Sequence, residues 1–398
     1  MPNALLTPTA VTRKALAVLH QKLNFIGSIN RQYDDSFAKT GAKIGDSLKI
    51  RLPNQYTVRT GANLSAQDTT ETSTTLSVAT QKGVDMTFTT AELALSLDDF
   101  SERIINPAMS VLAANMEADA LSMALDVYNS VNNVGSVITL NKALAARKIL
   151  VDNLAPGSDR TLLLNTQDNL DLVDGLKGLF QDSTEIAKQY REGMVGRTAG
   201  FGSIYENTLL ASQTTGTAAS VTTYTVNGTT LTGATGIVVQ TGATTFKKGD
   251  VITIAAVNRC HPETKADTGV AQQFVVTADY AGGAGTLAIS PPIYGPTSLG
   301  LQNVVALPLT TAAITKVGGA SVVYKPSLAY HKDAFTFASA DLPLPEGVDF
   351  SAREVFDGLS MRIVRQYAIS TDTMPCRLDV LYGYKTIRAQ LAARILSN

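Results

Sequence analysis

Ile105-Asn-Pro-Ala-Met-Ser-Val-Leu-Ala-Ala-Asn-Met-Glu-Ala-Asp-Ala-Leu-Ser-Met-Ala-Leu-Asp-Val127 decides how the rest of the chain is read. Ile105, Met109, Leu112, Met116, Ala120, Met123 and Val127 recur at spacings of three and four, the period of one buried helix face. Asn106-Pro107 supplies either a start signal or a kink in a longer helix. Over residues 99–130 such a helix would run roughly 45 Å at 1.5 Å per residue. A methionine stripe at this spacing is core before it is a cofactor box. The segment reads as a structural spine.

Outward from the spine towards lower numbers, Leu48-Lys49-Ile50-Arg51-Leu52 alternates as a half-buried strand. A second strand is expected through Leu76, Val78, Val84, Met86 and Phe88. Between them Thr60 to Thr75 is polar with almost nothing to bury, so the pair reads as a hairpin projecting from the body. An isolated hairpin is marginal in water and leans on a partner. Before it, Gly27–Gly45 reads as a loop or extended arm. Residues 9–23 read as an amphipathic helix with Val11, Leu16, Leu19 and Leu23 on one face and Arg13, Lys14 and Lys22 off it.

Outward towards higher numbers, Lys142–Val151 and Asp168–Phe180 read as helices, with strands at Thr161–Leu164 and from Gly200 to Ser203. Composition then shifts. Asn207–Phe246 holds 40 consecutive uncharged residues, and 13 of the 34 from Gln213 to Phe246 are Thr. That density of β-branched residues and glycine favours strands. Asn227-Gly228 is a hairpin signal, and strands are expected at Val251–Ala255, Phe274–Ala278 and Thr286–Ile289. Residues 213–320 thus read as an all-β insertion. Beyond it His331–Ala340 is ambiguous, and Leu342-Pro-Leu-Pro345 excludes regular helix. Met361, Ile363, Arg365, Tyr367 and Ile369 share one strand face, Leu378, Val380 and Tyr382 the next, and Lys385–Leu396 reads as partly helical. The class is α+β.

The 398 residues carry 33 Lys plus Arg and 34 Asp plus Glu, so net charge predicts neither a nucleic-acid coat nor an acidic tail. The balance is local. Residues 1–60 have nine bases and three acids, whereas 61–130 have ten acids and two bases. This asymmetry either neutralises itself within one fold or sets one copy's basic arm against another's acidic face. No stretch is long and apolar enough for a membrane span, and no secretory signal is visible.

Catalytic and ligand motifs do not emerge. His20, His261 and His331 are scattered, Cys260 and Cys376 form no C-x-x-C, and there is no P-loop or nucleophile elbow. Gly283-Ala-Gly-Thr-Leu-Ala288 fits a loose dinucleotide string but opens onto Ile289-Ser-Pro-Pro292, a strand stopped by prolines and not a helix, so it reads as a turn. No cofactor, metal or catalytic residue is expected. A chain this long without a catalytic constellation leans towards structural work.

The order of arm, hairpin, spine, α+β region, β insertion and closing strands resembles the major capsid protein of tailed double-stranded DNA phages, with the Hong Kong-97-type fold. Within that class the chain resembles the coat-protein family of the short-tailed Salmonella phages (P22 type). The most specific stretches are Phe246-Lys-Lys-Gly-Asp-Val-Ile-Thr-Ile-Ala-Ala-Val-Asn258 and Gln272-Gln-Phe-Val-Val-Thr-Ala278, joined by Ala288-Ile-Ser-Pro-Pro-Ile-Tyr294 and Arg377-Leu-Asp-Val-Leu-Tyr-Gly-Tyr-Lys-Thr-Ile-Arg388.

The resemblance implies an N-arm at 1–45, an extended hairpin (E-loop) at 46–90 and the spine with the peripheral domain at 91–139. It implies a first axial part at 140–212, the inserted β domain at 213–320, and a return to axial and peripheral domains at 321–398. It implies a non-enzymatic chain that assembles with itself as hexamers and pentamers into an icosahedral shell in the bacterial cytoplasm, with a scaffolding protein. A portal protein at one vertex and packaged DNA, contacted non-specifically, are the other implied partners. Expected assembly contacts are Arg13, Lys14 and Lys22 on the arm, Lys49, Arg51 and Arg59 on the hairpin, and Glu263, Lys265 and Asp267 in a charged loop of the insertion, a loop that, read without the resemblance, is more readily a solvated one. No covalent crosslink between subunits is expected. A β-rich fibre or adhesin would share the Thr/Gly-rich region but leaves the spine unexplained, and an enzyme would need a pocket of converging polar groups.

Overall fold

The spine forms a helix from Asn106 to Leu121, continued by a 3₁₀ turn over Ser122–Asp126. Met109, Met116 and Ala120 are fully buried and Leu112 and Met123 are 2% exposed, so the methionines fill core space, as their flexible thioethers suit. At its C-terminal end the helix stops short of residue 130, to which the periodicity carries it. After Val127 the chain joins a sheet at Ser130–Asn132, and strand pairing there displaces the helical continuation.

The computed structural model describes residues 12–17, 19, 23–33, 46–59, 61–64, 66, 72–88, 105–176, 199–356, 358–370 and 373–397. The expectations at Lys22, much of the hairpin tip, the spine before residue 105 and residues 177–180 lie outside them. Two compact units emerge. The first comprises Met1–Ile50, Ser73–Leu121 and Phe335–Lys385, and the second Arg51–Thr72, Ser122–Ala334 and Thr386–Asn398.

In the first unit residues 12–17 are helical, with Ala15, Leu16 and Leu19 buried. The stretch read as loop instead holds a short helix, Phe25–Ser28, and a strand, Asn30–Tyr33. That strand runs parallel to Phe335–Ala340, with Asn30 opposite Thr336. The sheet continues through Met374–Thr386, Leu359–Arg365 and Phe350–Phe356, and Thr80–Phe88 also pairs with Met374–Thr386. Asp46–Arg51 and Ser73–Val78 form the two-stranded hairpin. The expected single strand from Leu76 to Phe88 is broken at Ala79, because its halves pair with different partners. Tyr367 and Ile369 lie beyond their strand and are 40% and 87% exposed, so the shared face ends at Arg365.

In the second unit a five-stranded sheet runs in the order Ser130–Asn132, Ala392–Leu396, Ser327–His331, Arg160–Leu164, Ser203–Glu206. Its three central strands are buried at every position, the signature of a sheet covered on both faces. Helices Leu140–Asp152 and Thr166–Leu176 pack against it. Asn165 caps the second helix, its Oδ1 accepting the Asp168 N–H at 2.7 Å. The closing segment is a strand after a 3₁₀ turn at Ala389–Leu391, not the partly helical stretch expected. Full burial between two neighbouring strands overrides the helix propensity of its Ala, Arg and Leu residues.

The Thr-rich region folds into a closed six-stranded barrel, in the order 234–240, 285–293, 267–276, 251–260, 313–316, 221–226. Val221–Val226 shows why threonine suits it: Tyr224 and Val226 point into the core while Thr223 and Thr225 remain at least partly exposed. Tyr224, Phe246, Ile252, Ile254, Phe274 and Leu287 fill the interior. Two expectations are corrected. Asn227-Gly228 opens a longer connection that reaches the next strand only at Ala234, with Gly228 and Gly233 both at positive φ. The prolines at 291 and 292 lie within strand 285–293, in a bulge between the pairs Ala234–Ile293 and Gly236–Ala288, where the missing N–H breaks no regular ladder.

Candidate assembly surfaces

The expected contact residues fall into three groups. Arg13 and Lys14 are exposed on the N-terminal helix, with an Arg13 Nη2 3.8 Å from Glu354 Oε2; Lys22 lies outside the described residues. Lys49, Arg51 and Arg59 are exposed along the hairpin, and Arg59 Nη1 donates to the carbonyl of Gly61. Beside them Tyr56, Val58 and Leu64 are 58%, 96% and 88% exposed.

The charged loop divides. Glu263 and Asp267 are exposed, Asp267 Oδ1 accepting from Gly269 N–H at 2.8 Å. Lys265 instead folds back onto its own barrel and donates to the carbonyls of Gly300 at 2.7 Å and Gln302 at 3.1 Å. Burial lowers its pKa, against the opposing pull of the Cys260 thiol. Gly300 itself abuts the segment between the hairpin strands: a Cβ there would clash with the Gln55 carbonyl oxygen. Lys265 is therefore a brace within the chain.

Of the expected contact residues, Lys265 lines a cavity of about 310 Å³, with Leu52, Gln55, Cys260, Tyr294 and Gln302 among others. The cavity's thiol is pushed up by burial, the opposite of an activated nucleophile. Among the described residues no cluster of three His, Cys, Asp or Glu could hold a metal ion, and no helix is long and apolar enough to cross a membrane.

A polar joint missed from the sequence ties the barrel to the five-stranded sheet. Arg394, fully buried in the last strand, donates from Nη1 to Gln213 Oε1 at 3.0 Å and from Nη2 to the Gly249 carbonyl at 2.8 Å. Gln213 Nε2 reaches Asp250 Oδ1 at 3.3 Å, and Asp250 Oδ2 accepts the Gly216 and Lys247 N–H groups at 3.0 and 2.9 Å. Burial raises the Asp250 pKa, opposed by those N–H groups and by Lys316 and Arg394, while burial lowers that of Arg394. Gln273 supplies a second tie, accepting the Ser130 N–H at 2.6 Å and donating to the Ser130 carbonyl at 3.1 Å. It completes the edge strand as a neighbouring strand would. Arg259 adds an ion pair to Asp152 at 3.1 Å. One signal was available: Ala392-Ala-Arg-Ile-Leu396 is apolar except for a single charge.

Comparison with known proteins adds the family. The model of the P22 coat protein family (gene protein 5) matches residues 30–394. No curated protein matches. Among solved structures, a Mycobacterium phage Che8 chain is similar at 13% identity and a TM-score of 0.45, covering 94% of this chain and 90% of that one. The mature capsid of bacteriophage PhiM1 gives 10% identity and 0.44, covering 94% and 87%. The CUS-3 coat protein I-domain is 32% identical over 24% of this chain and 96% of its own, with a TM-score of 0.20.

Proposed function

This chain belongs to the P22 coat protein family, and on that premise we propose that it closes, as hexamers and pentamers, into an icosahedral shell around packaged double-stranded DNA. Its coarse role follows from the family: it is a structural major capsid protein of the Hong Kong-97-type α+β fold, and it self-associates into the phage virion shell. The family match across residues 30–394 carries the reading. The fibre and enzyme alternatives gain nothing comparable.

The finer assignment is an arm at 1–45, an E-loop at 46–90, the spine and peripheral domain at 91–139, axial parts at 140–212 and within 321–398, and the inserted domain at 213–320. Assembly takes place in the host cytoplasm with a scaffolding protein, and a portal occupies one vertex. The exposed bases Arg13 and Lys14, with Lys22, face the interior, near scaffold first and DNA later. Lys49, Arg51 and Arg59 meet an acidic face of a neighbouring copy, and Glu263 and Asp267 reach between capsomers. Each contact is weak, and repetition makes the shell stable.

Expression with and without the scaffolding protein of its phage, read by sedimentation, tests this proposal. Uniform shells with scaffold, and aberrant shells or free subunits without it, are expected. Charge reversal at Arg13, Lys14 and Lys22 should lower scaffold content; normal shells with unchanged scaffold would remove the arm from that role.

A further inference from the structure

The cavity lined by Lys265 and Cys260 lies wholly within the second unit. At about 310 Å³ it stands at the small end of ligand pockets and has room for about ten waters. The barrel builds much of its wall. Strand Val251–Cys260 brings Arg259, strand Gly285–Ile293 brings Pro291, and the loop after Cys260 brings Pro262 and Lys265. Tyr128 comes from outside the barrel, just before the edge strand Ser130–Asn132.

Three of these side chains hold hydrogen-bond donors that the fold does not use. Tyr128 is 8% exposed, and its hydroxyl makes no hydrogen bond among the described residues. Burial raises its pKa, so it remains a phenol and offers a proton at neutral pH. The Arg259 side chain is 12% exposed and its Nη2 engages Asp152 at 3.1 Å. Its buried Nε has no hydrogen-bond partner among the described residues. Lys265 gives protons to the carbonyls of Gly300 and Gln302, which leaves one of its three. A buried donor without an acceptor costs free energy and calls for an occupant. These donors belong to one cavity.

The signs agree. Among the described residues that line it, none is Asp or Glu. Asp152 offsets Arg259, while the two partners of Lys265 are neutral carbonyls. Burial lowers the Lys265 pKa, so its charge is held at a cost that an anion in the cavity would offset. Pro262, Pro291 and Leu301 add an apolar wall, which suits a carbon body better than a bare hydrated ion.

We propose that this cavity binds a small organic oxyanion, a carboxylate or phosphate carried on a compact apolar body, with Tyr128, Arg259 and Lys265 as its hydrogen-bond donors. The site goes beyond the shell-forming role and stands independently of it. Tyr128 belongs to the chain entering the five-stranded sheet and the two bases belong to the barrel. A bound anion therefore adds to the ties that Arg394 and Gln273 make between them.

Titration calorimetry and thermal melting of the purified full chain test the site, with benzoate and phenyl phosphate as probes and benzyl alcohol as the neutral control. At least one anion should bind about tenfold more tightly than benzyl alcohol and raise the melting temperature. The tighter of the two identifies the head group. Tyr128→Phe should weaken that anion by about tenfold without lowering the melting temperature of the free chain, since its hydroxyl has no bond to lose. Lys265→Gln should also weaken it; if that variant melts early through loss of its brace, Tyr128→Phe carries the test. Benzyl alcohol binding as tightly as both anions, an affinity unchanged in Tyr128→Phe, or no binding of either anion (a cavity that holds water only) overturns the site. None of these outcomes bears on shell assembly.

Discussion

The buried guanidinium of Arg394 donates to the backbone carbonyl of Gly249 at 2.8 Å, joining the last strand of the five-stranded sheet to the turn that enters a barrel strand. The two residues are 145 positions apart, so the inserted barrel is fastened by side chains as well as by its two chain connections. Buried charge of this kind is costly unless every partner is present. Here Gln213 and Gly249 accept from Nη1 and Nη2 and the Asp250 carboxylate opposes the effect of burial, while Nε has no hydrogen-bond partner among the described residues.

Arg394→Ala should therefore cost about 3–5 kcal/mol, the range for breaking a buried charged pair. Arg394→Lys should fall between, since it keeps charge but loses the two-pronged donor geometry. Urea unfolding of the purified subunit measures both. A loss below about 1 kcal/mol for the alanine variant would place this joint among neutral polar contacts.

Gln273→Leu removes both bonds to Ser130 and leaves an edge-strand N–H without its partner. A destabilisation of about 1–3 kcal/mol is expected, with faster hydrogen exchange at Ser130. Unchanged exchange there would show that the edge is satisfied by other means.

His331 is buried, and its Nδ1 accepts the Asp333 N–H at 3.2 Å. Burial, opposed by Asp333 and Asp159, lowers its pKa below the ordinary value. The folded state thus prefers the neutral ring, while the unfolded chain takes up a proton as pH falls through roughly 6.5. This contribution to stability is present above that pH and shrinks below it. Thermal unfolding at about pH 7.5 and 5.5 should show a drop that His331→Asn reduces; an equal drop in the variant would assign the acid sensitivity elsewhere.

Asp379 gives the carboxylate counterpart. Burial alone would raise its pKa, but the hydrogen bonds from Arg377 and Arg362 outweigh burial and lower it, at 2.9 and 2.6 Å. Its stabilisation is present above the unfolded value of about 3.9 and is lost as pH falls through the folded one. Asp379→Asn should cost about 3–5 kcal/mol at neutral pH and progressively less in acid, as read by denaturant titration across pH. A cost that does not change with pH would mean the charge is not what stabilises.

Much of this architecture was legible because periodicity survives folding. The spine stripe from Met109 to Met123 and the alternation at Leu378, Val380 and Tyr382 each report one buried face. Where tertiary pairing decides, local pattern misled. Ala392–Leu396 has helix-forming composition but lies between two strands, and Asn227-Gly228 looks like a tight hairpin but begins a wider connection. The surface was harder to read. Lys265 has the sequence context of a solvated loop, yet its ammonium is held by two carbonyls brought close only by the barrel. Arg394 meets Gln213 and Gly249, and Gln273 meets Ser130, each across more than a hundred positions, beyond the range of any spacing rule.

Cryo-electron microscopy of the particles this chain forms with its scaffolding protein tests the central claim most directly. Closed shells of uniform size built from five- and six-fold capsomers are predicted. Monomers, or small oligomers of fixed stoichiometry under the same conditions, would contradict it.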